Sequence, residues 1–269
     1  MQPIWDLMTN AHMEAWIWGP LMGAIVGMMF AGFNAPLSEK APVTVIQTTR
    51  VFVTNNIVVH NKQHISTSDN SGAGAIFFAF FIATLFLVWK YVVYIEYVRH
   101  ALTVLISTVL AFSLTAAILS IVKGQFNSSS WLLYIFAPMT TLATNYFLLN
   151  LAANSLDPEL PALAAKSAPL DFYMNQLTEY GRIFILFQML GMILILITTV
   201  CTALVLIHYL ALMNQRSPSN VQPFWTWVTR STLFFSGKGW LVLMTGFVIL
   251  AYILIEPSCM STWTNAQGN

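Results

Sequence analysis

The sequence has 269 residues, of which 57% are hydrophobic and 8% are charged. Because a soluble globular domain carries about 25% charged residues, this composition excludes one and predicts a polytopic membrane protein. The net charge of +1 excludes a protein that binds nucleic acid directly through a basic surface.

The first predicted element is a membrane span, which follows a short polar and aromatic lead; together they form the region 1–33. Small residues recur every four positions in this span and form one stripe on a helix, where another backbone can approach closely. The stripe consists of Gly19, Gly23, Gly27 and Ala31. It packs either against another helix of the same chain or against a second copy, and the second alternative predicts a homo-oligomer.

The second region, residues 34–74, is predicted to lie outside the membrane. Its β-branched and aromatic residues favour a β-hairpin with arms near 43–53 and 57–67. An isolated hairpin is marginally stable in water and leaves its edges unpaired. Val51 and Val53 are therefore assigned, with the glycine stripe, to an interface between copies.

The third region, residues 75–256, is predicted to be a helical membrane bundle. Residues 75–122 contain neither glycine nor proline, and one helix of that length would be about 72 Å long, more than twice the hydrocarbon thickness. Two spans therefore share it, and they meet at the charged and aromatic cluster 89–100, through a tight reversal or a bend. The remaining predicted spans are 131–152, 181–213 and 240–255, and residues 257–269 form a polar tail. The fold class is an all-α polytopic membrane protein with about six transmembrane helices and a small β-hairpin between the first two.

Two connections in this bundle have distinct compositions. Residues 157–179 are predicted to be a hydrophilic connection. The aromatic segment 224–235 is predicted to be an amphipathic helix in the headgroup layer, with Trp225, Trp227 and Arg230 as its interfacial residues.

The distribution of lysine and arginine predicts an orientation. Six spans place the hairpin and the loop 214–238 on one side, with seven Lys and Arg residues against four on the other. The positive-inside rule puts the seven in the cytoplasm and both termini outside. The predicted location is the cell membrane, as a multi-pass protein of a bacterial inner membrane.

Several polar residues are candidates for chemistry, and each has a structural alternative. Asn145 and Gln188 are predicted to form hydrogen bonds between helices rather than to line a pore. His208 is predicted to be an interfacial anchor rather than a proton relay. Glu96 and Arg99 are predicted to pair locally on one helical face rather than to act in acid–base catalysis.

No other group of residues forms a recognisable catalytic or metal site. His60 and His64 lack a further ligand at a suitable spacing and are predicted to be solvated. Cys201 is predicted to be a free thiol that fills a packing gap. We therefore expect a protein without catalytic residues, cofactor or bound metal.

The functional prediction is a non-enzymatic, self-associating membrane subunit that acts as a sensor, scaffold or pore. The plan of glycine-striped span, proline break and β-branched polar segment resembles accessory membrane subunits of bacterial defence or secretion operons. This resemblance covers the first span and the segment after it and assigns no residue roles. It implies a soluble partner at the cytoplasmic loops, besides the lipid bilayer. The alternative is an ion channel or transporter, although no inverted repeat is apparent.

Overall fold

The structure, a computed structural model, describes residues 14–32, 73–122, 131–215, 222–235 and 239–258. Nearly all of these residues are helical, and no strand occurs in these ranges. The predicted hairpin with Val51 and Val53, the pair His60 and His64, and most of the polar tail lie outside the described residues.

We label the longer helices of the described ranges α1 to α8. They are α1 Gly19–Gly32, α2 Ala73–Val93, α3 Ile95–Val122, α4 Ala137–Ser155, α5 Leu160–Lys166, α6 Glu179–Gln215, α7 Gln222–Ser231 and α8 Gly239–Ile255. Shorter pieces are the π-helical turns Glu14–Trp18, Leu132–Phe136 and Phe172–Gln176, the single turn Pro169–Asp171 and the 3-10 turn Leu233–Phe235.

Three of the described helices are long and apolar enough to cross a membrane. They cover Ile95–Val122, Leu132–Ser155 and Glu179–Leu212, of which the second joins a π-helical turn to α4. Three other described helical stretches are apolar but shorter, at Gly19–Met28, Ala79–Val93 and Gly239–Ile255. The structure therefore establishes a helical protein with three candidate spans, and the predicted count of six spans is not established by helix length.

A single residue, Tyr94, separates α2 from α3. The amide of Tyr94 donates a hydrogen bond to Lys90 O, and the amide of Val98 donates one to Tyr94 O, each at 3.0 Å. Buried side chains keep a spacing of three or four through this junction, at Val88, Val92 and Ile95. The predicted boundary within residues 89–100 is thus a one-residue interruption, and the side chains on either side of it bury the same face.

The chain divides into two compact units. The larger unit comprises Met1–Ala35 and Leu85–Asn269, and the smaller unit comprises Pro36–Thr84. The described part of the smaller unit is the first half of α2, where the Thr84 hydroxyl donates to Phe80 O at 2.9 Å.

The connection between α4 and α6 is folded and partly buried, so the prediction of a hydrophilic connection is wrong for its apolar residues. Ala164 and Phe172 are fully buried in the main core cluster. The indole of Trp89 donates a hydrogen bond to Ala164 O at 2.9 Å. Burial also raises the pKa of the Tyr173 hydroxyl. The charged residues that suggested a loop are exposed, whereas Ala164, Phe172, Tyr173 and Leu177 are buried in the main core cluster.

Candidate functional site

The glycines of α1 lie against α3 of the same chain. A Cβ atom on Gly19 would lie 2.9 Å from Thr108 Oγ1, and one on Gly27 would lie 2.9 Å from Thr115 Cβ. A Cβ on Gly23 would overlap the carbonyl oxygen of Thr108, which belongs to the backbone and cannot move aside. These three glycines are therefore needed for the close approach of two helices within one chain.

A hydrogen bond strengthens the same contact. The hydroxyl of Ser107 on α3 lies 2.8 Å from Ala15 O, which precedes α1. Gly19, Gly23 and Gly27 thus pack against a helix of the same chain, which is the first of the two predicted alternatives. The side chain of Ala31 lies outside the described residues. An interface between copies is not needed to explain the stripe, and self-association stays a prediction.

Asn145 of α4 joins that helix to α6 by a matched set of hydrogen bonds. Its Nδ2 donates to Thr198 Oγ1 at 2.8 Å and to Thr199 Oγ1 at 3.0 Å. Both threonine hydroxyls direct their own protons to carbonyl oxygens of α6, at 2.7 to 3.0 Å, so their lone pairs are available to accept. The two N–H groups of Asn145 therefore meet two oriented acceptors, and the predicted structural role of Asn145 is confirmed.

Gln188 makes the second polar contact between the same two helices. Its Nε2 donates to Ala152 O of α4 at 2.7 Å, and the side chain is fully buried. The predicted structural role of Gln188 is also confirmed. With Asn145, it fixes α4 against α6 at points nearly three helical turns apart along α6.

His208 is buried in protein, so its prediction as an interfacial anchor is wrong. Its Nδ1 lies 2.8 Å from the Thr232 hydroxyl, just beyond the end of α7. In the tautomer that carries its proton on Nδ1, His208 donates to this hydroxyl, which then directs its own proton to Val228 O at 2.8 Å. The Nε2 atom is then a buried acceptor with no hydrogen-bond partner among the described residues. His208 thus attaches the segment after α6 to α6 itself.

The long helix α6 exposes large apolar side chains and buries polar ones among further apolar residues, whereas a soluble helix exposes its polar side chains. Its exposed side is a stripe of large apolar residues, Leu190, Ile193, Leu196, Ile197 and Val200. Its buried side carries the polar ones, Gln188, Thr198, Thr199, Thr202 and His208. In a membrane this partition is favourable, because lipid accepts the apolar stripe and the hydrogen bonds are formed inside the protein.

An apolar groove opens beside this stripe. Its volume is about 480 Å³, and its walls come from the end of α2, the first turns of α3 and the middle of α6. The lining residues are Leu87, Lys90, Tyr91, Val98, Ala101, Leu102, Leu105, Met189, Met192, Ile193 and Leu196. Lys90 is the only charged residue among them. No sequence pattern marks the groove, because its residues have the spacing of ordinary core positions on three separate helices.

Lys90 is surrounded by aromatic rings rather than by carboxylates. Its Nζ lies 4.7 Å from the centroid of the Trp89 ring, 5.3 Å from that of Tyr94 and 5.7 Å from that of Phe86. Glu96, an acid nearby in sequence, is paired with Arg99 as predicted, so that local pair is confirmed. Within the described part of the chain, no carboxylate forms an ion pair with Lys90.

The predicted interfacial segment 224–235 overlaps the helix α7, Gln222–Ser231. Trp227 is 64% exposed and Arg230 is exposed, whereas Trp225 is 5% exposed and packs against Ala211 of α6. Of the three predicted interfacial residues, Trp225 therefore faces the protein, and Trp227 and Arg230 face outward. At ten residues, α7 is about 15 Å long and too short to span a bilayer.

The remaining candidates show no catalytic arrangement. Among the described residues, no cluster of His, Cys, Asp and Glu could hold a metal ion. Cys201 is a free thiol, partly buried beside Val205 and Trp240, as predicted. The chain matches no family model, and no curated protein or solved structure is similar enough to indicate a relationship.

Proposed function

We propose that the chain is a non-enzymatic, multi-pass membrane subunit whose role is that of a scaffold. The proposal of a membrane protein is supported by three of the described helices, which are long and apolar enough to cross a membrane. The proposal adds α1 and α8 as shorter or tilted spans. The sixth span of the sequence-based interpretation, α2, requires the chain to reverse at Tyr94, and the helical hydrogen bonds across Tyr94 do not favour that reversal. The proposal also retains a bacterial inner membrane as the location.

The observation that carries the proposal is the partition of α6. This helix exposes Leu190, Ile193 and Val200 on the outer surface of the protein. It buries Gln188 and three threonines. In water this arrangement would leave a large apolar patch exposed. In lipid the same exposed residues carry no free-energy cost of hydration.

A scaffold is favoured over a pore or an enzyme by the use of the buried polar groups. The amide nitrogens of Asn145 and Gln188 bond to neighbouring helices, and Nδ1 of His208 bonds to Thr232. Such contacts fix the helices relative to one another. A conducting path instead requires polar groups that converge on a shared cavity, and the groove is apolar apart from Lys90.

Self-association and a soluble partner are part of the proposal. Because the glycines of α1 are occupied by α3, a contact between copies would use the outer side of α1, where Leu21, Met22 and Ile25 are exposed. A soluble partner would meet the predicted cytoplasmic segments 34–74 and 214–238, as in the membrane component of a bacterial defence or secretion system.

The test combines particle mass with ion flux. The full chain, purified in mild detergent, is expected to give a native mass of two or more copies. In liposomes loaded with a potassium-sensitive dye, it is expected to give no flux above protein-free vesicles. An Asn145→Ala variant is the control. It loosens α4 from α6 and is expected, like the wild type, to give no flux. A monomeric mass together with protein-dependent flux would overturn the proposal in favour of a channel or transporter.

A further inference from the structure

We propose that the groove between α2, α3 and α6 binds a membrane phospholipid with an anionic headgroup, with one acyl chain in the groove and the headgroup phosphate at Lys90. The groove volume of about 480 Å³ lies within the range of about 300–1,000 Å³ for small-molecule sites. The inference is independent of the scaffold role and requires only that the helices lie in a membrane.

The walls of the groove match an acyl chain. Val98, Ala101, Leu102 and Leu105 recur at the spacing of one helical face and line about 10 Å of α3. Met189 and Met192 form part of the opposite wall, and methionine side chains adapt to flexible ligands. A length of about 10 Å is roughly one third of the hydrocarbon core, so the groove would hold part of one chain.

The position of the opening favours a lipid over a water-soluble ligand. Ile193 and Leu196 line the groove and also belong to the exposed apolar stripe of α6. The groove therefore opens on the side of the helix that faces lipid. A ligand that enters from the bilayer reaches it without crossing the protein.

The charge of Lys90 determines the kind of headgroup. Lys90 lies in the last turn of α2, within the cluster predicted to touch the membrane interface. Lys90 lines the groove, three rings lie within 5.7 Å of its ammonium group, and no carboxylate of the described residues forms an ion pair with it. A lipid phosphate supplies the missing negative charge, and a net anionic headgroup supplies it without the repulsion of a choline cation.

Native mass spectrometry of the full chain in detergent tests the proposal. Dioleoyl phosphatidylglycerol and dioleoyl phosphatidylcholine are added separately at equal concentrations, and retained lipids are counted. The wild type is expected to retain phosphatidylglycerol preferentially. Lys90→Gln is expected to weaken phosphatidylglycerol binding about fivefold, the factor that corresponds to about 1 kcal/mol for one lysine, while leaving phosphatidylcholine unchanged.

A second variant tests the groove rather than the charge. Ala101→Trp fills the groove from α3 and is expected to reduce retention of both lipids, and Ala101→Leu serves if the larger residue prevents folding. Lys166→Gln, at an exposed lysine on α5, is the matched control and should behave as the wild type. Lys90→Arg should restore the preference for phosphatidylglycerol.

Each contrary outcome identifies another occupant or none. Equal retention of both lipids by the wild type, or an unchanged preference in Lys90→Gln, overturns the assignment of the headgroup. Wild-type retention in both Ala101 variants overturns the groove as the site. Displacement of phosphatidylglycerol by equimolar oleate would identify a free fatty acid. A doubled mass that Ala101→Trp abolishes would identify a second copy, and either result overturns the phospholipid.

Discussion

Gly23 of α1 and Thr108 of α3 are in direct backbone contact, so close that a Cβ atom on the glycine would overlap the carbonyl oxygen of the threonine. Two helices with 62 residues between them in the chain, positions 33 to 94, are thereby fixed in one register. A side chain at either neighbouring glycine, Gly19 or Gly27, would also meet α3 within 3 Å.

Gly23→Ala is expected to destabilise the protein, because the added methyl group forces α1 away from α3. Overpacking of this kind costs about 1–3 kcal/mol. The control is Gly246→Ala on α8, where an added Cβ meets nothing within 4 Å and alanine is favoured by helix propensity. The free energy of unfolding is measured by denaturant titration in mixed micelles. Unchanged stability of Gly23→Ala together with a reduced particle mass would instead place this face between copies.

Asn145→Ala is expected to lower the free energy of unfolding by about 0.6–1.7 kcal/mol, through loss of the two bonds to Thr198 and Thr199. Asn150→Ala is the matched control, because Asn150 is exposed and its Nδ2 bonds to Tyr146 O of its own helix. The same titration compares the two variants. An equal change in the free energy of unfolding in both variants would show that the hydrogen bonds from α4 to α6 do not stabilise the protein.

The bond between His208 and Thr232 is expected to couple α6 to the segment that follows α7. A double-mutant cycle with His208→Phe and Thr232→Val should give a coupling energy of about 0.6–1.7 kcal/mol. Ser231→Ala is the control for the threonine, since that exposed hydroxyl bonds to Trp227 O within α7. Strict additivity of the two substitutions would contradict the contact.

The depth of α7 is a separate prediction. A fluorophore attached at position 227 should be quenched most strongly by lipids that carry a quencher near the headgroup, because Trp227 is 64% exposed on a helix too short to span. A fluorophore at position 225 should respond weakly, since that side chain packs on α6. Strongest quenching of position 227 from the bilayer centre would exclude an interfacial helix.

The orientation can be tested by cysteine labelling in a Cys201→Ser, Cys259→Ser background. Single cysteines at Ser68 and Ser219 should react only after the membrane is permeabilised, and one at Ser167 should react in intact cells. The physical reason is the seven-to-four excess of lysine and arginine on the side of Ser68. Labelling of Ser68 in intact cells with an impermeant reagent would reverse the predicted orientation.

The sequence was sufficient to predict a helical protein with helices that could span a membrane, and the role of two buried polar residues. Asn145 and Gln188 could be assigned to helix–helix bonds because an amide inside an apolar run must find a partner. The stripe on α1 predicted a close approach but not its target, since glycine specifies short distance and carries no information about the facing helix. Thr108 becomes identifiable as that target only when α1 and α3 are placed side by side.

Other features could not be predicted for a related reason. His208 lies near the end of an apolar run, where sequence distance to the polar edge suggests contact with headgroups. Its burial depends on α7 folding back over it, and that return is a tertiary event. The groove could not be predicted from the sequence either, because its lining residues have the spacing of ordinary core positions on three separate helices.

The contact between α1 and α3 also sets an order of events during synthesis. The chain emerges from the ribosome at about 5–20 residues per second, so the ninety residues from Gly32 to Val122 take roughly 5–20 s to appear. During that interval α1 is already made, while the helix that covers its glycines does not yet exist. In the proposed membrane location, lipid would therefore contact the bare glycine face of α1 until α3 arrives.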